Sequence, residues 1–195
     1  MKTAVTREKI IDAGLKTFSR RGYLGSTTKE IAGKAGIAEV TLFRHFPSKE
    51  ELFEEVISTH SFLPTLKGLL PEVSTMAFED ALTLIARRFL DTLNLRKDMI
   101  KIMHSEMHRY PEKIQKIYHA FVDEIRKTLA SYFVEMQKKG VLREFDAALG
   151  ARAFFGMFLS YFNAEEFLTS KRHRTVDPEK TIREFVEIFI QGTVK

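Results

Sequence analysis

Thr27-Thr28-Lys29-Glu30-Ile31-Ala32-Gly33-Lys34-Ala35-Gly36-Ile37-Ala38-Glu39-Val40-Thr41-Leu42-Phe43-Arg44-His45-Phe46-Pro47 is the stretch of this chain whose reading decides its fold. Thr27 can cap a helix while Glu30, three residues on, reaches back to its amide, the reciprocal arrangement of a capping box. On that short helix Ile31, Ala32 and Ala35 face inward. Gly36 follows, a residue able to take the positive φ that a sharp turn between helices requires. A second helix then runs from about Ala38 to Phe46. It buries Leu42 and Phe46, at i,i+4, beneath Ile37, and Pro47 stops it.

Upstream, Ile10, Ile11, Gly14, Leu15 and Phe18 line one stripe of a helix that ends near Arg21-Gly22. Downstream, Ser48-Lys49-Glu50-Glu51 is a second capping box, opening a helix whose stripe is Leu52, Phe53, Val56 and Ile57. Pro64 is expected to end that helix by about Phe62, and Gly68, Pro71 and Ser74-Thr75 to punctuate a short connector. Five more helices are expected, over Ala77–Leu93, Lys97–Tyr110, Pro111–Lys139, Asp146–Thr169 and Asp177–Gln191. The last opens on a capping aspartate followed by proline at the first helical position. The fold class is all-α: a three-helix module with a helix-turn-helix over residues 1–48, then a larger all-helical part over 49–195, linked by a helix at about 48–62.

The chain has 195 residues and no cysteine, which excludes disulfides, thiolate metal sites and a cysteine nucleophile. The N-terminus has no apolar signal-like core, and no uncharged apolar run is long enough to span a bilayer. The expected localisation is cytoplasmic, with no membrane partner. Of the net charge of +5, residues 1–49 carry ten Lys/Arg against four acidic residues, whereas the remainder holds 21 basic and 22 acidic residues. The positive excess therefore lies wholly at the front, where it attracts a polyanion or simply forms a solvated basic surface.

A helix, glycine turn and helix have a mechanical use when the partner is double-stranded DNA. The first braces on the backbone, the second enters the major groove, and both pack on a third helix. With Leu42 and Phe46 inward, Glu39, Val40, Thr41, Phe43, Arg44 and His45 face wholly or partly outward. Arg44 can bond guanine bidentately, Thr41 a base or phosphate, and Val40 can pack on a thymine methyl. Thr27, Thr28 and Lys49 sit at helix N-termini, which suit phosphate. The same features also fit a plain three-helix bundle with a tight turn. A module this small favours a pair reading a palindromic operator at half-sites about one helical turn apart.

The run from Gly22-Tyr23 through Thr27-Thr28, Ile31-Ala32, Ala35-Gly36, Thr41-Leu42-Phe43, Phe46 and Lys49-Glu50-Glu51-Leu52 resembles the signature of the TetR family of transcriptional regulators. The resemblance covers roughly residues 7–60. It implies phosphate contacts from Thr28, Thr41, His45 and Lys49, and base-edge positions for Glu39, Val40 and Arg44. Phe43 stands where the family usually has tyrosine, and Val40 where glycine is common, so a relative's operator does not transfer.

The resemblance also implies a homodimer built on the last two long helices, with Phe154, Phe185 and Phe189 as expected interface residues, and an effector cavity among the middle helices. Phe89, Ile102, Met103, Met107, Phe121 and Phe158 are its expected walls, suited to an apolar or aromatic small molecule. Helical stripes such as Tyr118, Phe121, Ile125 and Leu129 more often report core than cavity. No cofactor is expected. His104 and His108 are four apart with Glu106 between them, but the order is not that of zinc proteases and no third ligand is evident, so no metal is expected. Lys171-Arg172-His173-Arg174 reads as a solvated loop. Catalysis finds no motif, and the expected function is a repressor released from its operator by ligand. The alternatives are a DNA-bound adaptor without effector, and a carrier or enzyme that keeps the helix-turn-helix as scaffold.

Overall fold

The structure, a computed structural model, describes residues 2–168 and 177–195, all of them in helices and short connections, with no strand among them. The Lys171-Arg172-His173-Arg174 run lies outside the described residues. Ten α-helices follow in order: α1 (Lys2–Arg21), α2 (Thr28–Ala35), α3 (Glu39–His45), α4 (Lys49–His60), α5 (Phe62–Val73), α6 (Phe78–Leu95), α7 (Lys97–Glu106), α8 (Glu112–Lys138), α9 (Ala147–Asn163) and α10 (Pro178–Thr193). A 3₁₀ turn, Met107–Arg109, follows α7, and a π-helical turn, Ala164–Leu168, extends α9.

The helix boundaries follow from local chemistry. The side chains of Thr27, Ser48, Asp146 and Asp177 accept bonds from amides in the first turns of α2, α4, α9 and α10. One arm of the expected box at α2 is absent: Glu30 turns instead to Lys34 at 2.9 Å and Arg21 at 3.3 Å. The expected connector after α4 is also corrected, because Phe62–Val73 is a helix that buries Phe62, Leu63, Leu66 and Val73. Ser61, extended at ψ 175°, breaks the chain between α4 and α5. Pro64 then falls in the first turn of α5, where an amide has no intrahelical partner to lose. The burial of four apolar side chains outweighs the missing bond at Pro71 near the other end.

The described residues pack as two units that are each discontinuous in sequence. One comprises residues up to Ser61 with Arg96–Phe121, and the other Phe62–Leu95 with Val122–Lys195. In the first, Ile10, Phe18, Ile31, Leu42, Phe46, Leu52, Phe53 and Val56 form one apolar cluster with Met99 and Met103 of α7, Tyr110 after the 3₁₀ turn, and Ile114 of α8. In the second, aromatic rings fill the interior. Phe133 lies 5.5 Å from Phe189 and 6.4 Å from Phe154, Phe154 lies 5.2 Å from Phe158, and Phe89 lies 4.7 Å from Phe155.

The expected dimer residues take part in this interior. Phe154 and Phe189 are 0% and 7% exposed within their own protomer, and Phe185 is half-buried against Phe158 at 5.5 Å. The six expected cavity walls divide between the two units. Ile102, Met103, Met107 and Phe121 belong to the first unit, Phe89 and Phe158 to the second. Of the six, Ile102 borders an open groove of about 380 Å³, shared with Ser19, Arg20, Asp98, Lys101 and Ser105. His108 lies in the 3₁₀ turn beyond α7, so it and His104 do not share one α-helical face.

At the far end of α4, His60 lies between Asp12 of α1 and Arg96 at the start of α7. Arg96 Nη2 is 3.2 Å from His60 Nδ1, and His60 Nε2 is 3.7 Å from Asp12 Oδ1. A guanidinium only donates, so Nδ1 accepts and the ring is neutral with its proton on Nε2. Burial and the Arg96 charge push the imidazole below its ordinary value, with Asp12 opposing. The unfolded chain therefore binds more protons, so this contribution is complete above about pH 6.5 and declines as pH falls through that value toward the folded one. Urea midpoints measured between pH 7.5 and 5.5 are expected to fall more steeply for the wild type than for His60→Gln, which keeps an acceptor for Arg96 but does not titrate. Parallel slopes would remove His60 from the pH dependence.

Candidate nucleic-acid interface

The turn between α2 and α3 is made by Gly36 at φ 72°, in the left-handed region that glycine enters without strain. The Gly36 amide bonds Gly33 O at 3.1 Å, and the Ile37 amide bonds Ala32 O at 3.0 Å, so α2 ends in a closed cap. Ala38 then starts α3 without a side-chain bond, and Phe46 closes it through its amide to Leu42 O at 2.9 Å. This short helix is held mainly by its buried side chains. Leu42 is fully buried and Phe46 nearly so, with the Arg7 guanidinium 5.1 Å from the Phe46 ring centre.

Burial of that face leaves the other in solvent. Val40 is 63% exposed and Phe43 42%, and Arg44 is exposed beside them, while Glu39, Thr41 and His45 are half-buried. Val40 and Phe43 are large apolar groups left substantially in solvent, an arrangement suited to contact with a partner. Thr27 is exposed at the start of α2, its hydroxyl accepting from the Glu30 amide at 3.2 Å. Thr28, expected to offer its hydroxyl to phosphate, donates it instead to Glu39 Oε1 at 2.6 Å. The sequence reading missed this bond, which joins the first residues of two consecutive helices.

Lys49 begins α4 with its ammonium 4.2 Å from the centre of the Tyr23 ring. Burial pushes it below the ordinary lysine value, with Glu50 opposing. The Tyr23 hydroxyl donates to Glu50 Oε1 at 2.6 Å. Burial first, and then that bond, pushes the phenol well above its ordinary value, while the same bond draws the Glu50 carboxyl below the usual carboxylate range. At neutral pH the pair is thus a phenol donating to a carboxylate, a charge-assisted bond.

Tyr23 also ties this surface to α7 and the turn after it. Its amide donates to Tyr110 Oη at 3.1 Å, and the Tyr110 hydroxyl donates to Glu106 Oε2 at 3.2 Å. Gly22, at φ 67°, lies so close to Glu106 that any Cβ there would collide with the carboxylate. Tyr23 and Tyr110 are 87 residues apart, and local spacing carries no sign of these contacts. What could have pointed to them is that a glycine followed by an aromatic residue ends α1, where a plain cap needs no aromatic.

Residues 10–56 match the family of bacterial regulatory proteins, tetR family, and residues 80–192 match the AefR-like transcriptional repressor C-terminal domain. The HTH-type transcriptional regulator YvkB of Bacillus subtilis (strain 168) is 30% identical over 187 residues, which is 96% of each chain. Among solved structures, a TetR-family transcriptional regulator from Mesorhizobium loti MAFF303099 superposes with a TM-score of 0.81 at 27% identity, covering 100% of both chains. A Clostridium perfringens protein assigned to the regulation of fatty acid metabolism superposes with a TM-score of 0.72 at 26% identity, over 96% of this chain and 99% of that one. These matched families and relatives are regulators rather than enzymes. With both its helix-turn-helix and its C-terminal helices matched, the chain belongs to the TetR family of transcriptional regulators.

Proposed function

We propose that the protein is a homodimeric repressor that reads a palindromic operator with α3 and leaves it when a small apolar or aromatic effector binds. Residues 1–48 act as the reading head and residues 49–195 carry effector binding and dimerisation. The observation that carries the reading is the two-faced α3: Leu42 and Phe46 lock it into the core, while Val40, Phe43 and Arg44 stand in solvent. Arg44 bonds guanine O6 and N7, Val40 and Phe43 pack on thymine methyls or sugars, and Thr27, Thr41, His45 and Lys49 approach phosphates. Thr28 takes part with its backbone amide, since its hydroxyl bonds Glu39. The metabolic role assigned to the Clostridium perfringens relative supports an apolar effector. A coupling of about 1–3 kcal/mol between effector and operator would lower operator affinity some 5- to 150-fold.

Selection from a random DNA pool, followed by gel-shift on the selected sequence, tests the DNA-binding role. Arg44→Ala is expected to weaken binding of that sequence by about 1–3 kcal/mol and to relax preference at one base pair. Unchanged specificity would sink the guanine contact. For Lys49→Ala, binding is expected to weaken on all sequences alike, with a salt slope smaller by about one unit. A loss of stability with an unchanged slope would limit Lys49 to its contact with Tyr23.

The homodimer needs a surface that the protomer leaves open, and α10 offers one. Its buried face holds Ile182, Val186 and Phe189, yet Ile188 is 59% exposed. Ile188→Glu is expected to dissociate the dimer at micromolar concentration with the helical content intact, because a carboxylate without a partner is costly at an apolar interface. Sedimentation would reveal either outcome, and a monomeric wild type would overturn the assembly.

A further inference from the structure

We propose that Glu39 selects a cytosine in the operator, with Thr28 as the positioning residue that aims its carboxylate; the inference rests on the DNA-binding role proposed above. The Thr28 hydroxyl donates to Glu39 Oε1 at 2.6 Å, across the turn that joins α2 to α3. Both residues are half-buried, and Glu39 adjoins the exposed Val40. One carboxylate oxygen is thereby engaged, and the other remains to accept a bond.

The chemistry of the groove then restricts what that oxygen can meet. An ionised carboxylate offers acceptors only. In the major groove guanine presents two acceptors, and thymine an acceptor and a methyl group. Adenine sets its N6 donor beside the N7 acceptor, so a carboxylate that meets the first is opposed by the second. Cytosine presents its N4 amino group as a donor with no acceptor beside it on its own edge. Glu39 therefore favours cytosine, as Arg44, a pure donor, favours guanine.

Thr28 makes this selection sharper. A free glutamate side chain loses rotamer freedom when it binds, and one already held across the turn has lost part of it beforehand. The carboxylate also repels phosphate wherever no amino group compensates it. Discrimination thus comes partly from a penalty on wrong sequences.

The test selects binding sites from random DNA with the full-length wild type, Glu39→Gln, Thr28→Val and Thr28→Ser, then measures affinity on panels with each base pair replaced, at fixed salt. The wild type is expected to demand cytosine at one position, with a loss of about 5- to 100-fold on replacement. Glu39→Gln is expected to lose the demand for cytosine, because a carboxamide held by Thr28 through its carbonyl turns its amino group, a donor, to the base, and to bind unrelated DNA more tightly. Thr28→Val is expected to keep the cytosine but shrink the discrimination, and Thr28→Ser to restore it. A Glu39→Gln variant that selects the wild-type sequence overturns the proposal, as does undiminished discrimination in Thr28→Val. A wild type that selects no sequence overturns the DNA-binding reading itself.

Discussion

The burial of Leu42 and Phe46 is the constraint on which the exposed face of α3 depends. Helix α3 has seven residues and no side-chain cap at its start, so on propensity alone it would not persist. It is held because those two side chains enter the cluster that Ile10, Phe18, Ile31, Leu52 and Phe53 share. Fixing one face fixes the other: on a helix with 3.6 residues per turn, Val40, Phe43 and Arg44 must then point away from the core. The tight turn at Gly36 sets where α3 starts relative to α2, and so places Glu39 within reach of Thr28.

The same cluster explains why the first packing unit recruits chain from far downstream. Met99, Met103, Tyr110 and Ile114 complete a core that residues up to Ser61 form only in part. Polar bonds then make that association specific in register. The Tyr110 hydroxyl receives the Tyr23 amide, and Glu106 seats against Gly22. Tyr23 in turn holds Glu50 and underlies Lys49. A displacement of the Met107–Arg109 turn would therefore disturb a chain of contacts ending at an ammonium group near the proposed phosphate contacts. Such a route is a physical connection; energetic coupling along it is a matter for double-mutant cycles.

Helix content and most boundaries were legible because caps and apolar stripes are local signals. Thr27, Ser48, Asp146 and Asp177 are capping residues by their own chemistry, and the structure uses each of them. Helix α5 was misread for a physical reason. Pro64 and Gly68 count as breakers within a sequence window, but Pro64 costs little in a first turn, and tertiary burial of Leu63 and Leu66 decides the rest. The outward set on α3 was legible because it is the complement of a buried i,i+4 pair. The Thr28–Glu39 and Tyr23–Tyr110 bonds were not, since side-chain pairings across turns or between distant helices leave no periodic trace. The same limit governs Phe154 and Phe189: helical periodicity reports that a face is apolar, not whether its neighbour is a helix of the same protomer or of another.

In the proposed reading head, charge would divide the work into two parts that pull in opposite directions. The basic excess of residues 1–49 raises affinity for any duplex, because phosphate neutralisation is blind to sequence. A regulator bound everywhere regulates nothing, so some of that affinity has to be made conditional. In the proposed reading, apolar contacts from Val40 and Phe43 would supply part of the condition, since they gain only where a methyl group or sugar fits. Among the outward residues of α3, Glu39 is the single acidic one, and held by Thr28 it opposes the polyanion unless a base donor meets it. Arg44 differs in kind, because its charge is attractive on every sequence and its geometry rewards only guanine. A cation that favours all DNA and an anion that disfavours most of it, carried on one short helix, would together give a specificity ratio that neither would reach alone.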